Sequence, residues 1–179
     1  PNREILARRD SIINDLTRLV DPAGLITSTD ECRAYETDAL TAYRKMPLAV
    51  VLPKTTEEVS AVLKYCHDTG VKVVPRGAGT SLAGGAIPSE DAVVLGLSKM
   101  NRVLAVNYDD RFIRVEAGVK NLSVTAVVAE NGFFYAPDPS SQLACTIGGN
   151  IANNSGGAHC LKYGVTTNNL LGVRMVLID

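Results

Sequence analysis

The stretch Val71-Lys-Val-Val-Pro-Arg-Gly-Ala-Gly-Thr-Ser-Leu-Ala-Gly-Gly-Ala86 joins a short apolar run to a loop that is rich in glycine. The apolar run, residues 71–74, is typical of a buried strand. The glycines that follow it are Gly77, Gly79, Gly84 and Gly85. A loop with so few side chains brings backbone N–H groups within reach of an anion. The stretch therefore predicts a strand that ends at an anion-binding loop.

The polar groups of this glycine loop suit a diphosphate. Thr80 and Ser81 offer hydroxyl donors. Arg76 carries the only positive charge between residues 75 and 86. The alternative is an ordinary flexible turn between strands, but four glycines directly after a strand favour a ligand-binding loop. The candidate contacts are Pro75, Arg76, Gly77, Ala78, Gly79, Thr80, Ser81, Gly84 and Gly85.

The common nucleotide-binding motifs do not fit this loop. In Gly77-Ala-Gly-Thr-Ser-Leu82, leucine stands where the dinucleotide-binding G-x-G-x-x-G pattern needs its third glycine. Gly79-Thr-Ser-Leu-Ala-Gly84 has the spacing of a P-loop, but Gly85-Ala86 follow it instead of Lys and Ser or Thr. The loop is therefore suited to phosphate without being either motif.

The composition is that of an ordinary globular protein. The chain has 179 residues, of which 46% are hydrophobic and 21% charged, and a net charge of −1. A broad basic face for nucleic acid is therefore not indicated, and no apolar run approaches the length of a membrane span. The first residues lack the apolar core of a signal peptide. We expect a cytoplasmic protein, peripheral to the inner membrane at most through partners.

The cysteines and histidines do not indicate a metal site or a disulfide framework. No C-x-x-C pattern occurs. With only two histidines, a metal site is not expected. Reduced thiols in the cytosol are the simplest account. The residues concerned are Cys32, Cys66, Cys145, Cys160, His67 and His159.

The first hundred residues predict a helix, a wrapping segment and a strand–helix–strand unit. Apolar residues in 3–20 form one helical stripe that Asp21-Pro-Ala-Gly24 ends. Residues 25–46 predict a surface loop with a short helix near 30–35. Leu48–Leu52 predicts a buried strand, which we expect to pair in parallel with the strand at 71–74 through a right-handed crossover.

The helix between those two strands has clear sequence boundaries. Thr55-Thr-Glu-Glu58 is typical of a capping box, in which Thr55 accepts from an N3 amide and Glu58 reaches back to the Thr55 amide. Val59, Val62, Leu63 and Cys66 would face inward. Gly70 would end the helix.

The pattern changes after the glycine loop. Short strands are predicted at 92–97, 102–107 and 112–117, with a hairpin turn at Asn107-Tyr-Asp-Asp-Arg111 and one solvated face on the last strand. A helix is predicted from about Leu122 to Glu130, with Asn121 as N-cap and Gly132 as its end. Leu170–Ile178 predicts another buried strand.

The second informative region, the uncharged segment, runs from Pro139 to Leu161 without Asp, Glu, Lys or Arg. Its many small polar side chains suit contact with a large neutral ligand. We predict a helix from Ile147 to about Asn154, capped by Thr146, with Gly148-Gly149 giving a ligand close approach. The alternative is a helix packed tightly against another backbone through its glycines. We expect this segment and the glycine loop to face each other across one groove.

Three side chains in or beside this segment have alternative roles. His159 is predicted to be a hydrogen-bonded structural residue rather than a catalytic one. Cys145 and Cys160 could touch a ligand, but buried structural thiols are commoner. Tyr163 is as compatible with aromatic packing as with a ligand contact.

At these motifs the sequence resembles the FAD-binding domain of the vanillyl-alcohol-oxidase, or PCMH, type. The similarity is strongest to the branch that contains the D subunit of bacterial glycolate oxidase and the D-lactate and D-2-hydroxyglutarate dehydrogenases. The motifs come in the family's order. They are Val50-Val-Leu-Pro-Lys-Thr-Thr-Glu-Glu-Val59, Pro75-Arg-Gly-Ala-Gly-Thr-Ser81, Thr146-Ile-Gly-Gly-Asn-Ile-Ala-Asn-Asn-Ser-Gly-Gly157 and Lys162-Tyr-Gly-Val-Thr-Thr-Asn168.

The resemblance implies an α+β fold of two α/β subdomains, a small strand–helix–strand subdomain and a larger mixed sheet with helices, with FAD extended between them. The expected division is an N-terminal segment at 1–46 and FAD-binding subdomains at 47–107 and 108–179. Residues 76–81 would hold the pyrophosphate through backbone amides. The other implied FAD contacts are Pro137, Asp138, Cys145, Thr146, Gly148, Gly149, Asn150, Asn153, Asn154, Gly156, Gly157, Tyr163 and Gly164.

The resemblance also bears on how the flavin is held and what it does. Members with covalent flavin carry a histidine where this chain has Thr80, so we expect non-covalent FAD. The implied reaction is oxidation of a D-2-hydroxy acid, glycolate or D-lactate, with electrons passing to a quinone or a partner subunit. In the family, the FAD domain continues and a substrate domain follows. We therefore expect this chain to be the N-terminal portion of a longer protein and inactive by itself.

Two other functions are compatible with the same motifs. One is a non-catalytic FAD-binding or scaffold subunit of a multi-subunit oxidase, and histidines in a C-terminal half would favour the enzyme over it. The other is a cell-wall precursor reductase of similar fold, in which a nicotinamide donates the hydride. Bleaching of the flavin by NADPH, without any response to glycolate or lactate, would support the reductase.

Overall fold

The computed structural model of the chain describes residues 1–178. Its internal contacts form two compact units, one of Pro1–Lys99 together with the end of the chain from Met175, and one of Met100–Arg174. The boundary expected at residue 107 falls at the end of a strand within the second unit, and the division into FAD-binding subdomains stays a prediction. None of the helices in the described residues has both the length and the apolar character that crossing a bilayer requires.

The N-terminal helical stripe is confirmed, with one interruption. Helices α1 (Arg3–Ala7) and α2 (Arg9–Leu16) are separated at Arg8. Ile5, Ile12 and Leu16 are buried, as the apolar spacing predicts. After α2 the chain turns at Asp21, whose side chain accepts from the Ala23 amide and starts a 3-10 turn.

The wrapping segment at 25–46 contains more regular structure than predicted. The short helix is present as α3 (Thr29–Cys32), which a 3-10 turn at Arg33–Tyr35 continues. A strand of two residues, β1 (Leu25–Ile26), precedes it and pairs antiparallel with the next strand. Two residues are too few to show the alternation by which strands are recognised in a sequence.

The first unit is built on a four-stranded sheet. Its further elements are β2 (Ala49–Val51), α4 (Thr56–Thr69), β3 (Lys72–Arg76) and β4 (Ala92–Gly96). The strand order is β1-β2-β4-β3, and β4 is parallel to both β2 and β3. The predicted direct pairing of β2 with β3 is therefore wrong, because β4 lies between them. The two inner strands, β2 and β4, consist entirely of buried residues, as expected of strands that are covered on both faces.

Helix α4 begins and ends where predicted, but its capping differs in one bond. Thr55 Oγ1 accepts from the Glu58 amide at 3.1 Å. The Glu58 carboxylate accepts from the Lys54 amide at 2.6 Å, one residue before the predicted partner. Gly70 ends the helix with a φ of 73°, a left-handed conformation that favours glycine. Inward-facing residues are buried at Val59, Val62 and Cys66, whereas Leu63 is half-buried.

The second unit contains a hairpin and the helices of the uncharged segment. Strands β5 (Val103–Asn107) and β6 (Phe112–Val115) form the predicted antiparallel pair. The helices are α5 (Asn121–Val128), α6 (Ile147–Asn153) and α7 (Cys160–Tyr163), with 3-10 turns at Ala129–Asn131 and Thr166–Asn169. Val119, Val124 and Ile147 form the core of this unit.

Two predictions in the second unit are wrong. Asn121 does not cap α5, since Lys120 is the residue that precedes the helix and Asn121 is turned inward as its first residue. Residues 170–178 do not form a strand, and the side chains of Leu171 and Val173 are exposed, as are those of Met175 and Leu177. Apolar sequence predicts burial there, but no described strand pairs with this segment, and a strand needs such a neighbour for its backbone hydrogen bonds.

Candidate functional site: the glycine loop and the uncharged segment

The glycine loop, residues 77–91, connects β3 to β4 and leaves the sheet at the carboxyl ends of the parallel strands. Open α/β sheets usually bind ligands at this edge. The amides of Ala83, Gly84 and Ile87 donate to protein acceptors. The backbone amides of residues 77–81 have no hydrogen-bond acceptor within residues 1–178. Consecutive free amides with almost no side chains fit a diphosphate.

Arg76 uses its guanidinium to hold the loop together. Its Nη1 donates to Thr37 O at 2.8 Å and to Ala86 O at 3.3 Å, and its Cζ lies 5.6 Å from the centre of the Tyr35 ring. Burial lowers the pKa of Arg76, and the nearby Tyr35 and Asp38 oppose that effect. The positive charge is therefore present beside the loop, but its hydrogen bonds go to protein carbonyls.

Gly79 is needed at its position for two reasons. Its φ of 72° is in the left-handed region. A Cβ at this residue would also collide with the Arg76 guanidinium. The glycine thus allows the loop to turn over the arginine that holds it.

Asp38 is a residue of this site that sequence reasoning missed. It is 4% exposed. Its Oδ2 accepts from the Gly84 amide at 2.9 Å and its Oδ1 from the Leu40 amide at 3.0 Å. Next to it, the Ala39 amide donates to Ser81 O at 3.2 Å. The polar and weakly periodic sequence of residues 25–46 predicts a surface loop, and no local pattern distinguishes Asp38 within it.

The backbone amides in the first turn of α6 donate to acceptors within the protein. Thr146 caps the helix as predicted, accepting from the Gly149 amide at 3.3 Å. The amides of Ile147 and Gly148 each donate at 2.8 Å, to Val119 O and Ala117 O. A Cβ at Gly148 would lie 2.8 Å from the Ala117 Cβ. At Gly148, therefore, the alternative of tight packing against another backbone describes the structure.

Asn121 and Asn150 form a buried network beneath this helix. Asn121 Nδ2 donates to Pro137 O at 3.0 Å and to Asn150 Oδ1 at 2.9 Å. Asn150 Nδ2 in turn lies 3.3 Å from the sulfur of Cys145, which is also buried. The Asn150 and Cys145 side chains thus make internal bonds, as expected of structural residues.

The Asp138 carboxylate binds the turn that follows α6. Its Oδ2 lies 2.6 Å from His159 Nδ1, and its Oδ1 accepts from the His159 amide at 3.3 Å. The hydrogen bond from His159 lowers the pKa of Asp138. A Cβ at Gly157 would collide with Asp138. His159 therefore has the hydrogen-bonded position that its structural interpretation predicts.

A run of three free backbone amides in the uncharged segment lies after α6. Within residues 1–178, those of residues 156–158 donate to no protein acceptor. Two further candidates are bonded internally, since Asn153 Nδ2 donates to Gly149 O and Asn154 Oδ1 accepts from the Thr167 amide. The backbone amides of residues 156–158 are thus three consecutive donors that this segment can offer to a ligand.

The last two candidates pack against their own unit. The Tyr163 ring meets Phe134 edge-on, with 5.6 Å between ring centres. Gly164 has a φ of 78°, and a Cβ there would contact Asn168 at 2.6 Å. Aromatic packing, one of the two roles left open for Tyr163, is therefore present.

Comparison with known proteins identifies the domain type. The family described as "FAD binding domain" matches residues 47–179. The chain is 47% identical over 171 residues to glycolate oxidase subunit GlcD of Escherichia coli (strain K12), covering 96% of this chain and 34% of that protein. It is 38% identical over 170 residues to D-lactate dehydrogenase of Archaeoglobus fulgidus, covering 94% and 37%. The chain thus spans about a third of the length of these relatives.

Solved structures show the same fold. The chain matches alkyldihydroxyacetonephosphate synthase with a TM-score of 0.78 at 23% identity, over 87% of this chain and 34% of that one. It matches p-cresol methylhydroxylase with substrate bound with a TM-score of 0.73 at 20% identity, over 82% and 29%. The PCMH-type α+β fold implied by the sequence resemblance is confirmed.

Proposed function

Because the chain belongs to the FAD-binding domain family that matches residues 47–179, we propose that it is the FAD-binding portion of an oxidoreductase acting on D-2-hydroxy acids. Glycolate is the leading substrate and D-lactate the second. Both substrates are taken from the names of relatives that are 47% and 38% identical to this chain. FAD is the cofactor of this domain.

The observation that carries the proposal is the run of unbonded amides at residues 77–81. These amides would bind the diphosphate of FAD, while the Arg76 guanidinium keeps the loop closed around them. In the second unit, the free amides of residues 156–158 would donate to neutral oxygen or nitrogen atoms of the cofactor. We assign FAD binding to residues 47–107 and 108–179 on this basis.

The chemistry proposed for the site is hydride transfer. Bound FAD supplies the hydride acceptor, flavin N5, for the hydrogen on the substrate α-carbon. The residues described here bind and orient the cofactor. We assign none of them to removal of the hydroxyl proton, which needs a general base within hydrogen-bonding reach of the substrate.

The proposed partners follow from the names of the relatives. One relative is a subunit of glycolate oxidase, so we propose that electrons leave through a partner subunit or a quinone. The same partners would place the protein in the cytoplasm, at the inner membrane surface.

An absorption spectrum followed by a reduction experiment tests this function. Protein purified with its cofactor should show bands at about 370 and 450 nm, where protein-bound flavins absorb. In a chain of the relatives' full length that contains these residues, anaerobic glycolate or D-lactate should bleach the 450 nm band. Bleaching by NADPH alone would instead support the reductase, and no flavin at all would contradict the proposal.

A further inference from the structure

The glycine loop is held by a short segment far away in the sequence, residues 35–39. Asp38 accepts from the Gly84 amide, and the Ala39 amide donates to Ser81 O. At the start of the loop, Arg76 donates to Thr37 O and lies over the Tyr35 ring. The start and the middle of the loop are therefore bound by one continuous piece of chain, residues 35–39, which we call the brace.

We propose that Asp38 is a positioning residue, which holds the glycine loop in the conformation that leaves the amides of residues 77–81 free to bind diphosphate. This inference rests on the proposed function, in which that diphosphate belongs to FAD. Asp38 would not touch the ligand, since both of its oxygens already accept protein amides. Its effect on binding would pass through Gly84 and Ser81.

The charge of Asp38 supports a positioning role. A carboxylate close to a diphosphate site repels the ligand, so its presence there needs another explanation. Both oxygens are used as acceptors, one for Leu40 and one for Gly84. An asparagine offers one acceptor oxygen and would turn its NH2 group toward one of the two amides. Only the carboxylate satisfies both amides at once.

Asp91, at the amino ends of the parallel strands, provides a matched control. Asp91 is also buried and accepts a backbone amide, that of Asn2, at 2.8 Å. It stands immediately before β4 and is bound by Lys72 at the start of β3. Asp91 thus lies at the amino ends of the strands, whereas the glycine loop leaves from their carboxyl ends. An Asp91→Asn variant should lose stability without altering the amides of residues 77–81, because Asp91 is the last residue of the loop and lies away from them, at the amino end of β4.

The experiment measures ligand affinity and loop structure in the wild type, Asp38→Ala, Asp38→Asn and Asp91→Asn. Affinity for FAD, ADP and riboflavin is titrated with a purified chain of the relatives' full length that contains these residues. Loss of one ordinary hydrogen bond corresponds to about a tenfold change in an equilibrium constant. We expect Asp38→Ala to lower the affinity for FAD and for ADP at least tenfold. Asp38→Asn should lower both affinities less. Riboflavin, which has no phosphate, should bind all four proteins equally.

Amide NMR spectra without ligand separate the two proposals. We expect the resonances of residues 77–81 to shift in both Asp38 variants and to stay in place in Asp91→Asn. If the wild type bound neither FAD nor ADP, the proposed function would fail, and these spectra would still report whether Asp38 orders the loop. Unchanged ADP affinity in the Asp38 variants, or an equal loss in Asp91→Asn, would overturn the role of Asp38. Should Asp38→Ala not fold, Asp38→Asn provides the same comparison.

Discussion

Asn121 and Asn150, 29 positions apart in the chain, share a buried hydrogen bond of 2.9 Å between Nδ2 and Oδ1. The same Asn121 amide group donates to Pro137 O at 3.0 Å. One side chain thus ties the first turn of α5 to α6 and to the segment that leads into Asp138. The network joins Pro137 and Asn150, which are predicted to contact FAD, to Asn121, which is not among the predicted contacts.

Asn121→Ala should lower the free energy of unfolding by about 1–3 kcal/mol, because it leaves buried polar partners unsatisfied. Urea unfolding measures the change. Asn131→Ala is the control, since Asn131 also makes a side-chain hydrogen bond, to Tyr108 at 2.8 Å, but on the exposed surface. Adding Asn150→Ala to Asn121→Ala should cost less than the sum of the single changes. Strict additivity would mean that the two asparagines do not act together.

Gly79→Ala should disrupt the glycine loop, and Gly70→Ala provides a matched control. Both glycines have a φ close to 73°, but an added Cβ meets the Arg76 guanidinium at Gly79 and nothing within 4 Å at Gly70. Backbone strain of about 1–2 kcal/mol applies to both. Only Gly79→Ala should also displace Arg76 and reduce FAD affinity, which a fluorescence titration measures. Equal FAD affinities in the two variants would contradict the collision at Gly79.

Gly148→Ala and Gly149→Ala should have opposite effects on stability. A Cβ at Gly148 would be 2.8 Å from Ala117, whereas the nearest atom to one at Gly149 is Thr146 Oγ1 at 3.3 Å. Overpacking should cost Gly148→Ala about 1–3 kcal/mol. In Gly149→Ala, the gain in helix propensity of about 1 kcal/mol should exceed the cost of a small adjustment of Thr146 and stabilise the protein. Thermal unfolding compares them, and a more stable Gly148→Ala would refute the close packing of α6 on Ala117.

The link between Asp138 and His159 should be lost in acid. Since the hydrogen bond lowers the pKa of Asp138 in the folded chain, its stabilising effect is complete above the ordinary aspartate value of about 3.9 and is lost as the pH falls through the lowered value. Asp138→Asn should therefore be less stable than the wild type at pH 7. The difference should shrink below pH ~4. A difference independent of pH would show that the carboxylate charge is not involved.

The flavin should leave the protein on denaturation. Thr80 occupies the position of the histidine that carries covalent flavin in the resembling family, and a hydroxyl side chain cannot form that histidyl bond. Acid precipitation should give a colourless pellet and a yellow supernatant. Yellow colour that stayed with the pellet would rule out non-covalent binding.

The features that could be predicted from the sequence are those decided by neighbouring residues. Thr55 and Thr146 cap their helices, Gly70 ends α4, and the hairpin of β5 and β6 turns where its polar residues lie. Each depends on interactions within a few positions. Hydrophobic periodicity and turn chemistry report such interactions directly.

The features that were missed depend on partners distant in the chain. The position of β4 between β2 and β3 is a choice among strands, and each of the three has a similar apolar sequence. Asp38 meets a glycine 46 positions away. Asparagine is a common N-cap residue, but the side chain of Asn121 instead donates to buried acceptors on other elements. Local patterns contain no information about these encounters.

The glycine loop also has a structural role, because it connects β3 to β4 and these strands are parallel neighbours. Parallel neighbours require a return connection that carries the chain from one end of the sheet to the other. That connection is often a helix, but here residues 77–91 make the return without one. Shortening the loop would therefore disrupt the pairing of β3 with β4, and any change in nucleotide affinity would follow from that loss of structure. Substitutions that keep the length of the loop are the informative variants.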